Sequence, residues 1–272
     1  NSYSSPQLAF FRNFFALIPI IFLFFITRDI KNIFVDISKE FLFLCFLRGI
    51  SFVLMQIFYY ISIINMNFAT ATTLTFSSPI FIVVLSMLVL KEKIGLFRWS
   101  AIFIGFGGVL FIMNPTSDLF SYISILPLLA ALCWAISNIV LKFIPEDISS
   151  VKINFYSINF SYIGSLIILF FSSDFSPVEN SFDWLLLILI GILGGVASIL
   201  FSFAYRVVSP STLAPFEYLG IPSSFILGWI FFYEAPIEQL FPGVLGIVAA
   251  GFIIIWREKK LSIGKIISNK IH

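Results

Sequence analysis

Residues 184–206, WLLLILIGILGGVASILFSFAYR, decide the fold class of this chain. The stretch holds no charged residue before Arg206, and it exceeds the roughly 20 apolar residues that a helix needs to cross a bilayer. Similar stretches recur along the whole chain, and the spans predicted from them are residues 8–27, 42–64, 70–90, 96–113, 122–144, 153–172, 184–206, 211–232 and 240–257. The sequence therefore predicts an all-α membrane protein with nine visible transmembrane helices.

The composition excludes several functional classes. Of 272 residues, 60% are hydrophobic and only 11% are charged, whereas a soluble domain carries roughly 25% charged residues. A lipid bilayer is therefore the predicted solvent, and a net charge of +2 gives no reason to expect nucleic acid as a partner. The single histidine is His272, and Cys45 and Cys133 lie inside apolar runs. We predict no metal, no cofactor and, without an HExxH or GxSxG motif, no enzyme activity.

Basic residues predict the orientation. Alternate loops and the C-terminal tail carry the basic residues Arg28, Lys31, Lys39, Lys91, Lys93, Arg98, Lys142, Lys152, Arg206, Arg257, Lys259, Lys260, Lys265 and Lys270. The loops between them carry no Lys or Arg, and the charged residues that they do carry are acidic. Because Lys and Arg concentrate in cytoplasmic loops, we predict an external N-terminus, a basic cytoplasmic tail at residues 258–272, and insertion in a bacterial inner (plasma) membrane.

Two halves of the chain align at an offset of about 142 residues. Residues 69–72 fall on residues 211–214, and Glu92 falls on Glu234. The predicted topology puts these two glutamates on opposite sides of the membrane, so the repeats, residues 1–115 and 116–257, are inverted. Inverted repeats are typical of secondary transporters. Helix 122–144 has no counterpart in the first repeat, and we expect a tenth helix before residue 1; a native nine-helix protein is the alternative.

Several motifs carry a family resemblance. They are Ala69–Leu74 with Pro79, Leu90–Lys93, Arg98-Trp99, Gly105–Val109, Ala131–Ala135 with Asn138 and Lys142, and Ala9–Arg12. Over residues 8–257 the chain resembles the EamA-type members of the drug/metabolite transporter superfamily. The resemblance implies ten helices arranged as two inverted five-helix repeats. It also implies an inner-membrane carrier of amino acids, nucleotide-like metabolites, vitamins or drugs.

Two prolines mark candidate breaks in the predicted spans. Pro79 lies in the middle of span 70–90, and Pro222 lies at nearly the equivalent place in span 211–232. A proline inside a helix frees the carbonyl four residues earlier, here that of Thr75 and of Tyr218. Matched breaks in the two halves of a transporter indicate the solute site. The alternative is an ordinary packing kink.

Three charged residues, Arg12, Arg48 and Glu217, lie about a turn or more from the ends of predicted spans, where charges are costly and often functional. We expect Arg12 to extend its charge to the outer end of its helix. Arg48 and Glu217 each lie about six residues from the cytoplasmic end, roughly 9 Å deep, and a structural ion pair between them is one interpretation. The alternative is that Arg48 binds a carboxylate or phosphate of the solute while Glu217 binds an amine or carries a coupling proton.

Polar faces on several spans complete the predicted pathway. It comprises Arg48, Tyr59, Thr75, Pro79, Trp134, Asn138, Ser198, Tyr205, Glu217, Tyr218 and Pro222. Aromatic members can stack on a planar or cationic solute, although helix packing is the alternative use of any single face.

The sequence predicts a secondary transporter that moves a small organic metabolite, with an amino acid or a derivative favoured, by alternating access. The alternatives are nucleoside-like, vitamin-like or drug-like solutes, and a channel or scaffold instead of a carrier. Its predicted partners are the solute, the bilayer and a coupling proton, and it is a monomer or homodimer.

Overall fold

A computed structural model describes residues 3–27, 33–35, 37–66, 68–113, 122–172, 175–223, 226, 230 and 241–271. Its α-helices are α1 (Ser5–Thr27), α2 (Lys39–Asn65), α3 (Phe68–Thr75), α4 (Ser78–Leu88), α5 (Leu96–Met113), α6 (Ile125–Ile139), α7 (Ser150–Ser172), α8 (Ser181–Val207), α9 (Pro210–Leu213) and α10 (Gly243–Ile271). Short 3₁₀ helices at Tyr122–Ser124 and Val140–Phe143 flank α6, and a third, Ala214–Leu219, follows α9. No β-strand occurs within these ranges, which confirms the all-α prediction.

The helix lengths fit a bilayer. Within the described residues, six helical segments are long and apolar enough to cross a membrane, and Leu96–Ile112 and Gly243–Arg257 are shorter apolar helices. The predicted span 211–232 is described only in part, and the loop that carries Glu234 lies outside the described residues. The chain is therefore an integral membrane protein, as its hydropathy predicts.

The chain divides into two compact units. The first unit combines Asn1–Ser62 with Leu132–Val208, and the second combines Ile63–Ala131 with Ser209–His272. Each unit takes helices from both predicted sequence repeats, because the repeats are consecutive whereas the units interleave. The repeat boundaries, and the tenth helix expected before residue 1, stay predictions.

Small residues let α1, α7 and α8 approach closely in the first unit. A Cβ added at Gly195 would lie 2.5 Å from the carbonyl oxygen of Ala16, and one added at Gly191 would lie 2.3 Å from the Cβ of Phe15. Contacts of this kind drive helix association where lipid removes the usual hydrophobic driving force. Ala16, Ile20 and other apolar side chains of α1 then pack against α7.

The helices of the second unit are interrupted. The segment predicted as span 70–90 ends one helix at Thr75 and begins the next at Ser78, with Pro79 in the first turn of α4. Span 211–232 changes from α9 to the 3₁₀ helix Ala214–Leu219, which has Pro215 in its first turn. Proline suits a first helical turn because it has no N–H to leave unpaired, so each proline marks the restart of a helix.

Candidate functional site

A buried arginine organises the interior of the first unit. Arg48 of α2 is 4% exposed. Its Nη1 donates to Asn154 Oδ1 at 3.3 Å, and its Nη2 donates to Ser202 Oγ at 2.8 Å. Ser198 Oγ donates to the same Asn154 oxygen at 2.7 Å. The network therefore joins α2, α7 and α8 through neutral partners.

Arg48 meets no carboxylate among the residues that the structure describes. None of its hydrogen-bond partners is a carboxylate, and its buried Nε meets no hydrogen-bond partner among the described residues. A guanidinium offers five N–H donors in a planar fork that suits carboxylate and phosphate. The predicted pair with Glu217 would join residues of two different units, and it stays a prediction.

Aromatic rings adjoin this network within the same unit. Phe52 lies one helical turn after Arg48, and its ring centroid is 6.1 Å from that of Trp134. Trp134 meets Phe201 edge to face at 5.4 Å, and Phe201 stacks with Tyr205 at 6.4 Å. This aromatic cluster, defined by Phe52, Trp134, Phe201 and Tyr205, lies beside the Arg48 network, and Phe52 and Tyr205 are buried in it.

Arg12 lies deeper than the sequence suggests. Its Cζ is 5.0 Å from the centroid of the Phe52 ring, and Phe52 is the middle residue of α2. The expectation that Arg12 extends to the outer end of its helix is therefore wrong. The neighbouring Asn13 explains the difference, because it exchanges two hydrogen bonds with Gln56, at 3.2 and 3.0 Å, and so holds α1 against α2 at this depth.

In the second unit, Glu217 and Tyr218 lie on the 3₁₀ helix Ala214–Leu219. Ser78, the first residue of α4, donates its Oγ to Glu217 Oε2 at 3.0 Å. The interrupted helices are therefore linked where the chain breaks. Tyr218 is fully buried, and its hydroxyl meets no hydrogen-bond partner among the described residues. Its ring packs directly on Gly105, where an added Cβ would lie 2.4 Å from Tyr218 Cδ2.

The other predicted pathway residues lie outside these networks. Thr75 Oγ1 donates to the Ala71 carbonyl at 2.9 Å within α3, and Asn138 Nδ2 donates to the Trp134 carbonyl at 3.0 Å within α6. Tyr59 packs against Tyr60 at 6.1 Å. Pro222 is half-buried in the helical residues 220–223, about two turns beyond Pro215. The contacts of these four residues do not connect them to Arg48.

One surface groove in the first unit is mainly apolar, unlike the Arg48 network. Its volume is about 780 Å³, and it is lined mainly by apolar side chains of α1 and α8, such as Leu23 and Phe203, with Glu146 and Arg206 at its polar end. It contains none of the predicted pathway residues. No cluster of three or more metal-ligating side chains occurs among the described residues.

Asn154, Ser202 and the Asn13–Gln56 pair are not among the site residues predicted from the sequence. The spacing of Arg48, Phe52 and Gln56, each four residues apart on α2, was the available signal, because such residues lie on one helix face.

Comparisons with known proteins agree with this architecture. The chain matches the family described as the EamA-like transporter family over residues 1–114 and 121–256. It is 33% identical to the riboflavin transporter of Vibrio cholerae over 69% of this chain and 62% of that protein. It is 29% identical to the S-adenosylmethionine uptake transporter of Rickettsia bellii over 96% of this chain and 87% of that protein. A solved crystal structure shares the fold, with a TM-score of 0.78 at 14% identity, covering 96% of this chain and 90% of its own.

Proposed function

The chain belongs to the EamA-like transporter family, and from that premise we propose that it is a secondary transporter of a small organic metabolite across the cytoplasmic membrane. The relatives are transporters and not enzymes. The chain covers only 62% of the V. cholerae riboflavin transporter, so activity and solute are proposed for this chain on its own geometry. Alternating access, a cytoplasmic C-terminus and a monomeric or homodimeric state belong to the same proposal.

The buried Arg48 network carries the proposal. Burying an arginine inside a membrane protein is costly unless its charge meets a partner. Here the partners are the neutral side chains of Asn154 and Ser202, which orient the guanidinium without neutralising it. Such a fixed, oriented cation is suited to an electron-rich group on a solute, and hydrogen bonds to a charged group contribute about 1.5–3 kcal/mol each.

The aromatic cluster narrows the solute class. Trp134 and its ring neighbours favour a planar heteroaromatic ring, and Arg48 favours carbonyl, carboxylate or phosphate oxygens on it. Riboflavin combines a flat ring carrying carbonyl oxygens with a polar hydroxylated chain and has no positive charge. We therefore favour a flavin-like metabolite, in line with the relative named for riboflavin.

An amino-acid derivative is the second candidate, as the sequence analysis favours. The relative named for S-adenosylmethionine aligns with nearly all of this chain, and the carboxylate of such a solute is a natural partner for Arg48. However, S-adenosylmethionine carries a net positive charge, which two nearby arginines oppose. Glu217 in the second unit is the proposed coupling-proton residue for either solute.

Counterflow in proteoliposomes tests the proposal. Vesicles loaded with unlabelled riboflavin should accumulate labelled riboflavin through the purified chain, and uptake should saturate with concentration. The same assay with S-adenosylmethionine tests the second candidate. Flux that rises linearly without saturation would indicate a channel and would overturn the carrier assignment, whereas saturable counterflow of only S-adenosylmethionine would replace the flavin-like solute.

A further inference from the structure

Arg12 of α1 lies at the midpoint of two spanning helices. Its guanidinium carbon is 5.0 Å from the Phe52 ring centroid, and a Cβ added at Gly194 would lie 3.1 Å from its Nη2. Phe52 and Gly194 are the middle residues of α2 and α8, each of which has 27 residues. At 1.5 Å per residue, both lie about 20 Å from either end of their helices.

The packing around Arg12 fixes this position. The Asn13–Gln56 pair is buried on both sides and holds the α1 backbone beside α2. Gly194 leaves room for the guanidinium, because any side chain there would meet it. Arg12 itself donates no hydrogen bond and makes no ion pair among the residues that the structure describes. Within the described residues, the Arg12 guanidinium, which carries five N–H donors, therefore lies beside the Phe52 ring, Gly194 and Tyr60.

Arg12 and Arg48 share the helix α8 as a common wall. Arg12 adjoins Gly194, and Arg48 binds Ser202. These α8 residues are eight apart, which corresponds to about 12 Å along the axis. Ser198 lies midway between them on the same face and bonds to Asn154. The two guanidiniums are therefore connected by a polar strip of α8.

Among the described carboxylates of the first unit, none lies at this depth. Glu40 and Asp183 fall in first helical turns, and Glu146, Asp147 and Glu179 lie in loops. The ionisable neighbours that act on Arg12 and Arg48 are Tyr60 and Cys45 respectively. Within the described part of the first unit, these two arginines therefore have no acidic side chain beside them.

We propose that Arg12, seated between Phe52 and Gly194, is a second solute-binding point, and that the first unit binds an elongated solute with oxygen-rich or anionic groups at both ends. This inference extends the proposed function. It rests on that proposal, because only the proposal makes the aromatic cluster part of a solute site. Arg48 binds the end nearer the α2 N-terminus, Arg12 binds the other end, and the aromatic cluster flanks the ring between them. A phosphorylated or carboxylated heteroaromatic metabolite satisfies both points.

A binding experiment without transport can test the role of Arg12 independently of whether riboflavin is the solute. Thermal unfolding of the full chain in detergent is compared in inorganic phosphate and in chloride at equal ionic strength. Phosphate at ten times its dissociation constant should raise the melting temperature of the wild-type protein by about 3 °C. Arg12→Gln should weaken phosphate binding at least tenfold, and Arg12→Lys should retain part of it.

Gly194→Ala provides a variant that keeps every charge. It crowds the guanidinium and should weaken phosphate binding, whereas Gly107→Ala, where an added Cβ meets nothing within 4 Å, should bind as the wild type does. No phosphate effect on the wild-type protein, or an undiminished effect in Arg12→Gln, would overturn the inference. Loss of riboflavin counterflow with the phosphate effect intact would instead overturn only the flavin-like solute.

Discussion

The two units differ in the partners that they give to an arginine. In the first unit, Arg48 is bound by neutral amide and hydroxyl groups. In the second, Arg98 lies 3.8 Å from the Glu92 carboxylate, and Ser211 contacts both side chains. An arginine with a carboxylate partner needs no further anion, whereas one held by neutral groups attracts one. We therefore propose that the partner of an arginine, and not its presence alone, distinguishes a ligand-binding charge from a structural one.

The units also differ in backbone continuity. Helix α1 runs unbroken through its internal Pro19, and α8 continues through three glycines of its own. In the second unit, both segments that contain a predicted break are interrupted, beside Pro79 and Pro215. Interrupted backbone inside a membrane protein is tolerated where other groups satisfy it. We infer that continuous helices position the proposed solute contacts and that Glu217 lies on the adaptable backbone.

The largest expected effect is a loss of solute uptake on substitution of Arg48, and it should not occur on substitution of Arg98. Arg48→Gln should reduce solute uptake at least 100-fold, because two charge-assisted contacts of about 1.5–3 kcal/mol each are lost. Arg48→Lys should retain a fraction of uptake, since the charge persists without the planar fork. Arg98→Gln is the matched control, and its ion pair is worth only about 0–1 kcal/mol. Initial uptake rates in proteoliposomes measure all three, and equal losses for Arg48→Gln and Arg98→Gln would remove the distinction between the units.

The next largest effect is expected on thermal stability, when glycines at close helix contacts are replaced by alanine in either unit. Gly195→Ala in the first unit and Gly108→Ala in the second would each place a Cβ 2.5 Å from a backbone oxygen. Overpacking of this kind costs about 1–3 kcal/mol. The melting temperature of the purified protein should fall by several degrees for both variants. Gly107→Ala should melt like the wild type, and a comparable loss there would show that helix propensity matters more than the contacts.

The main features of the fold could be predicted because bilayer thickness fixes helix length. The span predicted at 184–206 appears as Ser181–Val207, and that at 42–64 appears as Lys39–Asn65. The break predicted at Pro222 stays a prediction, because most residues after Ser223 in span 211–232 lie outside the described part of the chain. The 3₁₀ segment starts beside Pro215, because proline is accommodated best in the first turn after a break.

The candidate site could be predicted only in part. Hydropathy identifies Arg48 as a buried charge, but its partner Asn154 depends on the register between α2 and α7, which a single sequence does not encode. The depth of Arg12 depends likewise on the Asn13–Gln56 pair between two helices. The spacing of residues along one helix can be predicted from the sequence, whereas contacts between residues of different helices cannot.

A moderate effect is expected for Glu217 in the second unit. Glu217→Gln keeps an oxygen that accepts from Ser78 but cannot release a proton. If Glu217 carries the coupling proton, uptake should fall about tenfold and lose its dependence on external pH. Ser78→Ala, which retains the carboxylate, should keep a pH-dependent uptake. Unchanged transport with an unchanged pH profile in Glu217→Gln would remove the proton role.

The smallest effect concerns the outer surface of the first unit. The Tyr3 hydroxyl donates to Asp183 Oδ2 at 2.6 Å, and this hydrogen bond to a carboxylate raises the pKa of Tyr3 above its usual value. Because the protonated form is favoured in the folded state, its contribution to stability is present below about pH 10 and is lost as pH rises through the raised pKa. Tyr3→Phe should therefore melt slightly below the wild type at pH 8, and the difference should close as the pH rises through the raised pKa of Tyr3. A difference that persists at high pH would assign the effect to packing.

Equilibrium binding of riboflavin tests the central claim, that the charge in the first unit is a solute contact. Riboflavin is fluorescent, and stacking against Trp134 should quench it as purified protein is added. The account predicts saturable quenching for the wild type and for Arg98→Gln, and at least tenfold weaker binding for Arg48→Gln. Equal dissociation constants for the wild type and Arg48→Gln would contradict it.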